Sequence, residues 1–300
     1  METTLYQIPI SSSRKKEMLK TIDWDDFYAI GKTRTEGRFL QWDIRNKLNF
    51  NADIIRKLDN LFPYCNDLYV DGEICYSQLE FLNKFKGKKV LLLAGGPSTN
   101  DVKWENLDYD YIVTLNHFFK NKRLKNKKVD LAVIGGEVDL QSEQFLSYVS
   151  EHNPYLFFEV HSRWYNEIDY LKKLYEEYTL MGCFHTRFYG KLGGGNRLLL
   201  FMLYLRPEIL YFAGLDGPKP MIEQNHAFEG KKNTLPYGTN MDNAQTVFED
   251  QYKLYWEYIM KLNFTTKLYN LGEGFDYNMS SKYSKKSFPL TEEIKNLIRR

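Results

Sequence analysis

The sequence predicts an α/β fold: a Rossmann-like, doubly wound, mainly parallel sheet covered on both faces, with a mostly helical amino-terminal extension. Three observations lead there. From Lys88 onward, short apolar runs alternate with segments of helical periodicity, the pattern of successive strand and helix units. The runs are continuously apolar rather than alternating, as strands buried on both faces must be. Several of them stop on glycine, which lets a strand turn sharply into the next element.

Residues 1–85 are polar, with apolar positions at helical spacing over 53–62, and read as an extension packed on the main domain, 86–300. In that domain the runs at 89–94, 111–116, 131–135, 155–160, 209–214 and 267–271 are the expected strands. Helices are expected near 101–107, 140–150, 167–178, 196–205 and 243–262. No internal repeat or low-complexity linker divides the chain.

Composition narrows the class. The 300 residues carry 41 basic and 39 acidic side chains, a net charge of +2, without the excess that nucleic-acid binding usually needs. The lysines read as dispersed over a solvated surface. Cys65, Cys75 and Cys183 lack metal-ligand spacing, and their odd number speaks for a reducing compartment. No apolar stretch reaches the roughly 18 residues of a membrane span, and the first residues lack a signal-peptide layout. A cytoplasmic location is the expectation. The 23 tyrosines and 20 phenylalanines mostly imply an aromatic core.

In such a sheet ligands sit at the carboxyl ends of the strands, so the residues just after each strand carry the functional signal. The first strand ends in Gly95-Gly96-Pro97-Ser98, the second in Asn116-His117, the third in Gly135-Gly136-Glu137 and the fifth in Gly214-Leu215-Asp216-Gly217. A further run, Lys191-Leu192-Gly193-Gly194-Gly195-Asn196, opens the helix before the fifth strand. Each glycine is also an ordinary turn residue, and each Asn or Asp an ordinary cap. Together at one rim they predict a pocket for a nucleotide or nucleotide sugar. A branched side chain at Gly95 or Gly195 is expected to fill the ligand's space and leave the fold intact.

With Gly95-Gly96-Pro97-Ser98, Asn116 and the run from Gly194 to Asp216 in this order, residues 88–271 resemble the bacterial sialyltransferases of glycosyltransferase family 42. They also resemble the related domain-of-unknown-function 115 proteins, which include a pterin pyrophosphokinase. The resemblance implies transfer of sialic acid or a related sugar from a CMP-linked donor to a glycan or lipid-linked acceptor, with no other cofactor. It implies Gly95, Gly96, Pro97 and Ser98 along the cytidine nucleotide, Asn116 at its ribose or phosphate, and the backbone of Gly194 and Gly195 on the donor. Lys191 stands where the family has an arginine near the phosphate. The chain departs from the family in having Gly135-Gly136 where an asparagine is usual, Gly194 where a serine is usual, and no histidine after His226.

Glycosyl transfer needs a base for the acceptor hydroxyl and charge stabilisation for the departing phosphate. His226, in the polar segment 216–243 that reads as a lid, is the candidate base, with Lys191, Lys231, Lys232 and Tyr237 available to the phosphate. Asp216 and Glu137 are rival bases, Asp216 equally a loop-ordering acceptor of backbone N–H groups. His117, His152, His161 and His185 form no recognised spacing. Asp108-Tyr109-Asp110 imitates a metal-binding D-x-D but precedes the second strand, at the wrong edge of the sheet, so no metal is expected. Two alternatives stay open. One is an ATP- and magnesium-dependent pyrophosphokinase using Glu137, Asp139 and Asp216; the other is a non-catalytic nucleotide-binding relative in surface-glycan assembly. Homo-oligomerisation is left open.

Overall fold

The computed structural model describes residues 83–135, 138–159, 193–217, 264–275, 278–284 and 287–299, with Ala227, Glu249, residues 252–253, 255–257 and 259–260, and the backbone of 5–6, 68–70, 73–75 and 181–186. In chain order the strands are β1 (Leu5–Tyr6), β2 (Leu68–Val70), β3 (Glu73–Cys75), β4 (Lys89–Leu93), β5 (Tyr111–Leu115), β6 (Leu131–Ile134), β7 (Tyr155–Glu159), β8 (Met181–Thr186), β9 (Ile209–Ala213) and β10 (Lys267–Asn270). The helices are α1 (Ser98–Asp101), α2 (Glu143–His152), α3 (Gly194–Tyr204), α4 (Met279–Ser284) and α5 (Glu292–Ile298), with 3-10 turns at Trp104–Asn106 and Phe118–Lys120. Residues 249–260 are helical wherever they are described.

All strands join one sheet in the order β10-β9-β4-β5-β6-β7-β8-β1-β2-β3. From β10 to β8 every pairing is parallel; β1, β2 and β3 continue the sheet antiparallel. The six expected strands form as a mainly parallel sheet, each ending within one residue of its sequence boundary. The sequence reading does not include β8, because Met181-Gly182-Cys183-Phe184-His185-Thr186 is no apolar run, nor β1–β3, which are too short to show a period. The helices expected over 53–62 and 167–178 lie outside the described residues.

Strand residues alternate between two cores, which is why the inner runs are apolar almost throughout, whereas the edge strand β10 exposes Lys267. Val90, Leu92 and Ala94 face one core with Val113, Leu131, Phe157, Leu210 and Phe212; α3 and the 249–260 helix cover it through Leu198, Met202, Tyr255 and Trp256. Leu91 and Leu93 face the other with Ile112, Ala132, Ile134 and Tyr211, under Trp104, Phe118, Phe145 of α2 and Ile294 of α5. Two opposed cores make the fold doubly wound.

This layering fixes the switch point. The chain leaves β4 over the Trp104 side and moves outward to β5, β6 and β7; it reaches β9, on β4's other flank, through α3 on the opposite face. Adjacent β4 and β9 therefore send their carboxyl-end turns to opposite faces, and the crevice between those turns is where such sheets bind ligands. Among the described residues no helix is long and apolar enough to cross a membrane.

Candidate functional site

The Gly95–Ser98 turn and the Gly214–Asp216 turn are stitched together at that crevice. Gly96 N–H donates to the Gly214 carbonyl at 2.9 Å, and Gly214 N–H to the Ser98 hydroxyl at 2.7 Å. Ser98 N–H donates to Asp216 Oδ2 at 2.8 Å, and the Thr99 hydroxyl to the Ala94 carbonyl at 2.6 Å. Ser98, Thr99 and Asp216 are buried. The approach is too close for a side chain: a Cβ at Gly96 would stand 2.5 Å from Asp216 Oδ2 and 2.6 Å from the Gly214 carbonyl oxygen. Glycine is thus required at Gly96 by the fold itself.

Asp216 plays the loop-ordering role weighed for it in the sequence: its side chain holds Ser98, and its carbonyl accepts Met279 N–H at 2.6 Å. Asp216→Ala leaves the buried Ser98 N–H without that acceptor and is expected to cost about 1–3 kcal/mol of stability. Urea unfolding checks this, and a midpoint that does not move would mean that the turn stands without the carboxylate.

The neighbouring turn is ordered the same way. Asn116 adopts a left-handed backbone, φ 51°, and its Oδ1 accepts Gly135 N–H at 2.7 Å, joining the ends of β5 and β6. Asn tolerates that conformation better than most residues, which explains its place after β5.

At the start of α3, Gly194, Gly195 and Asn196 are buried and Gly193 is exposed. A Cβ on Gly195 would lie 2.6 Å from Leu215 Cδ2 and 3.2 Å from Ala94 Cβ, so a branched side chain there meets the core. This corrects the expectation that a valine at Gly195 would spare the fold: α3 sits too tightly against β4 and β9. Asn196 Nδ2 donates to the Tyr252 hydroxyl at 3.3 Å, the Tyr255 hydroxyl donates to the Asn196 carbonyl at 2.6 Å, and Asn196 Oδ1 is buried with no hydrogen-bond partner. Burial holds the Tyr252 phenol well above its ordinary pKa, and the Asp216 charge pushes the same way, against hydrogen bonds to Asn196 and the Gly217 backbone. Tyr252 therefore stays neutral.

A polar cluster behind the rim is absent from the sequence reading. Asn270, at the end of β10, donates to Ser281 Oγ at 3.0 Å and accepts Gly272 N–H at 3.1 Å. Asn278 caps α4 by accepting Ser281 N–H at 2.9 Å and donates to the Gly272 carbonyl at 2.9 Å, while Ser280 donates to the Leu215 carbonyl. A Cβ on Gly272 would stand 2.7 Å from Ser98 Oγ, so the cluster backs directly onto the β4 turn. The pattern Asn270…Asn278-Met279-Ser280-Ser281 after the last strand was its one available signal.

From the segment 216–243 the described residues are Asp216, Gly217 and Ala227. Ala227 N–H donates to the Gly95 carbonyl at 2.7 Å, and the Ala227 carbonyl accepts Asn100 Nδ2 at 2.9 Å. Ala227 is therefore pinned to the glycine turn of β4. His226, Lys191, Gly136, Glu137, Lys231, Lys232 and Tyr237 lie outside the described residues. Asp108 and Asp110 stand at the amino edge, bonded to the Lys89 side chain at 2.5 Å and the Lys89 N–H at 2.8 Å, so they tie β4 to β5 as a surface turn. Among the described residues no group of three or more His, Cys, Asp or Glu side chains could hold a metal ion.

Fold and rim together define an α/β protein whose glycine turns meet at the switch point of a Rossmann-like sheet. No protein-family model matches the sequence, and no curated protein matches it. Among solved structures the chain is similar to the sialyltransferase CstII from Campylobacter jejuni in complex with a substrate analogue, cytidine-5′-monophosphate. The two share 15% identity at a TM-score of 0.35, over 70% of this chain and 97% of that one.

Proposed function

We propose that this chain is a glycosyltransferase that moves a sugar, sialic acid or a relative, from a CMP-activated donor to a glycan or lipid-linked acceptor without a metal. The observation that carries the reading is the seat of Ala227 on Gly95. Ala227 directly follows the candidate base His226 in the chain, and its bond to Gly95 lies at the switch-point turn, which supports a role for that base beside a nucleotide bound there. The resemblance of Gly95-Gly96-Pro97-Ser98 and Asn116 to the sialyltransferase pattern supports the donor class.

The hydrogen bonds divide the labour. Gly96 N–H and Ser98 N–H are engaged within the rim and Pro97 has none, so of the four residues of this turn Gly95 alone would have its N–H to offer the nucleotide. Further donation falls to the first turn of α3, where Gly194 and Gly195 and the positive end of an 11-residue helix suit the phosphate. Asn196 Oδ1, buried without a partner, is an acceptor for a donor group on the ligand or a water. Asn116 and Gly135 stand at the adjoining ends of β5 and β6, and Gly136 and Glu137, which follow Gly135 in the chain, complete the proposed set. Lys191 takes up charge on the leaving phosphate and His226 removes the acceptor's proton.

A pyrophosphokinase would need carboxylates free for magnesium. Asp216 Oδ2 accepts Ser98 N–H and Asp139 Oδ1 accepts Gln141 N–H at 3.0 Å, so each would have to meet the metal through its second oxygen. The test is thermal stabilisation by CMP, CDP, UDP, GDP and ATP with magnesium. CMP at a hundred times its dissociation constant should add about 2.7 kcal/mol. A shift with ATP and magnesium but none with CMP would give the site to the kinase reading.

A further inference from the structure

We propose that the loop 120–128, with the adjoining carboxyl end of α5, is a cationic face that docks on an anionic phospholipid surface. Nothing in this depends on which nucleotide the rim binds.

Lys120, Lys122, Arg123, Lys125, Lys127 and Lys128 fall within nine residues that contain no acidic side chain. Two of the six meet the Trp104 ring; of the rest, Lys120 lies 5.8 Å over the Phe119 ring. The Arg123 guanidinium stacks 4.5 Å from the Trp104 ring, bonds Glu105, and donates to the carbonyls of Thr99 at 2.8 Å and Val102 at 2.7 Å, closing the end of α1. Lys127 lies over the same ring at 5.9 Å. The other four, Lys120, Lys122, Lys125 and Lys128, are exposed, and among the described residues none makes an ion pair.

The loop is nonetheless firmly built. Leu124 and Val129 are fully buried, Tyr148 donates to the Lys127 carbonyl at 2.6 Å, and His152 Nε2 lies 3.0 Å from the Lys125 carbonyl. Backbone oxygens are held inward while the four lysines stay exposed to solvent. Four like charges kept close together oppose folding, and among the described residues none of them is paired with a carboxylate. A surface of opposite sign would compensate them. Lysine's compact, well-hydrated charge on a flexible stem suits a diffuse layer of headgroups. A single-stranded nucleic acid would want exposed rings to stack on, whereas Phe118 is buried and Phe119 is packed against Phe145.

The same face holds an apolar residue of the kind that enters a lipid interface. Lys103 N–H donates to the Ile298 carbonyl at 3.3 Å and Asn106 Nδ2 to that of Leu297 at 2.8 Å, which sets the end of α5 beside Trp104. Leu297, one of two exposed large apolar side chains among the described residues, is thereby flanked by exposed Lys103 and Arg299. Glu105 is bound to Arg123, and Asp130, two residues past the loop, to Lys84 and the Ile112 N–H; Glu151, near His152, also lies beside the loop.

The test is co-sedimentation of the full chain with phosphatidylcholine vesicles, with and without phosphatidylglycerol. Partitioning should require the anionic lipid and fall away at about 0.5 M salt. Each lysine near such a surface strengthens binding about fivefold, so K120Q/K122Q/K125Q/K128Q should lower partitioning at least about tenfold with the melting temperature retained. Lys253→Gln, on the opposite face, should leave it unchanged. Equal partitioning on neutral vesicles overturns the proposal, as does undiminished binding of the fourfold variant. Retention on nucleic acid in place of vesicles would overturn it as well.

Discussion

His226→Ala is expected to lower turnover about 10²–10⁴-fold, the span of general-base removal, with donor affinity nearly unchanged. The expectation follows from chain connectivity: His226 precedes Ala227, consecutive Cα atoms lie about 3.8 Å apart, and Ala227 is bonded to Gly95. If the proposed donor binds at that turn, a base beside Ala227 can act late, once the donor is bound, which is why the loss should fall on turnover rather than binding. The comparison is Asp216→Asn, measured per folded molecule because Asp216 also orders the rim. A carboxylate base would invert the result, with Asp216→Asn inactive and His226→Ala active. Near-normal turnover in both would move the role to Glu137 or to the substrate itself.

Gly214→Ala is expected to destabilise the protein by about 2–5 kcal/mol, combining about 1–2 for left-handed backbone with about 1–3 for overpacking. Gly214 has φ +78°, and its Cβ would lie 2.3 Å from Thr99 Oγ1 and 2.4 Å from the Ala94 carbonyl oxygen. Neither neighbour can retreat, since Thr99 and Ala94 are bonded to one another at 2.6 Å and buried. Gly87 separates the two contributions: its φ is +69° and a methyl group there would meet nothing within 4 Å, so Gly87→Ala should show the conformational part alone. Equal losses at both positions, by urea unfolding, would mean that the β4–β9 stitch is softer than its geometry.

Much of the rim was legible because rim residues in a parallel sheet follow their strands directly. Gly96, Ser98, Asn116 and Asp216 could be named from the chain alone. What could not be read was how much of their chemistry is turned inward: Ser98 and Asp216 hold each other across 118 residues, and Gly96 is small because of Asp216. The Asn270–Asn278–Ser281 cluster and the stacking of Arg123 on Trp104 join residues whose spacing has no local signature. The lysines of 120–128 were read only as part of a dispersed, solvated surface, and it is the inward anchoring of the loop's carbonyls that separates a built face from a solvated stretch.

By itself the sequence determined six strands and their parallel arrangement, because apolar runs of strand length that alternate with longer helical segments and stop on turn residues mark strands where an apolar run alone would not: residues 198–203 are just as apolar and lie in α3. It also determined that the turns after those strands would carry glycine, Asn or Asp. The tertiary structure alone decided the strand order, the placing of β4 beside β9 and the recruitment of β8 and the short β1–β3 to the sheet's far side. Those depend on which faces α3 and the 3-10 turns cover, and hence on long-range packing that leaves no mark in local periodicity.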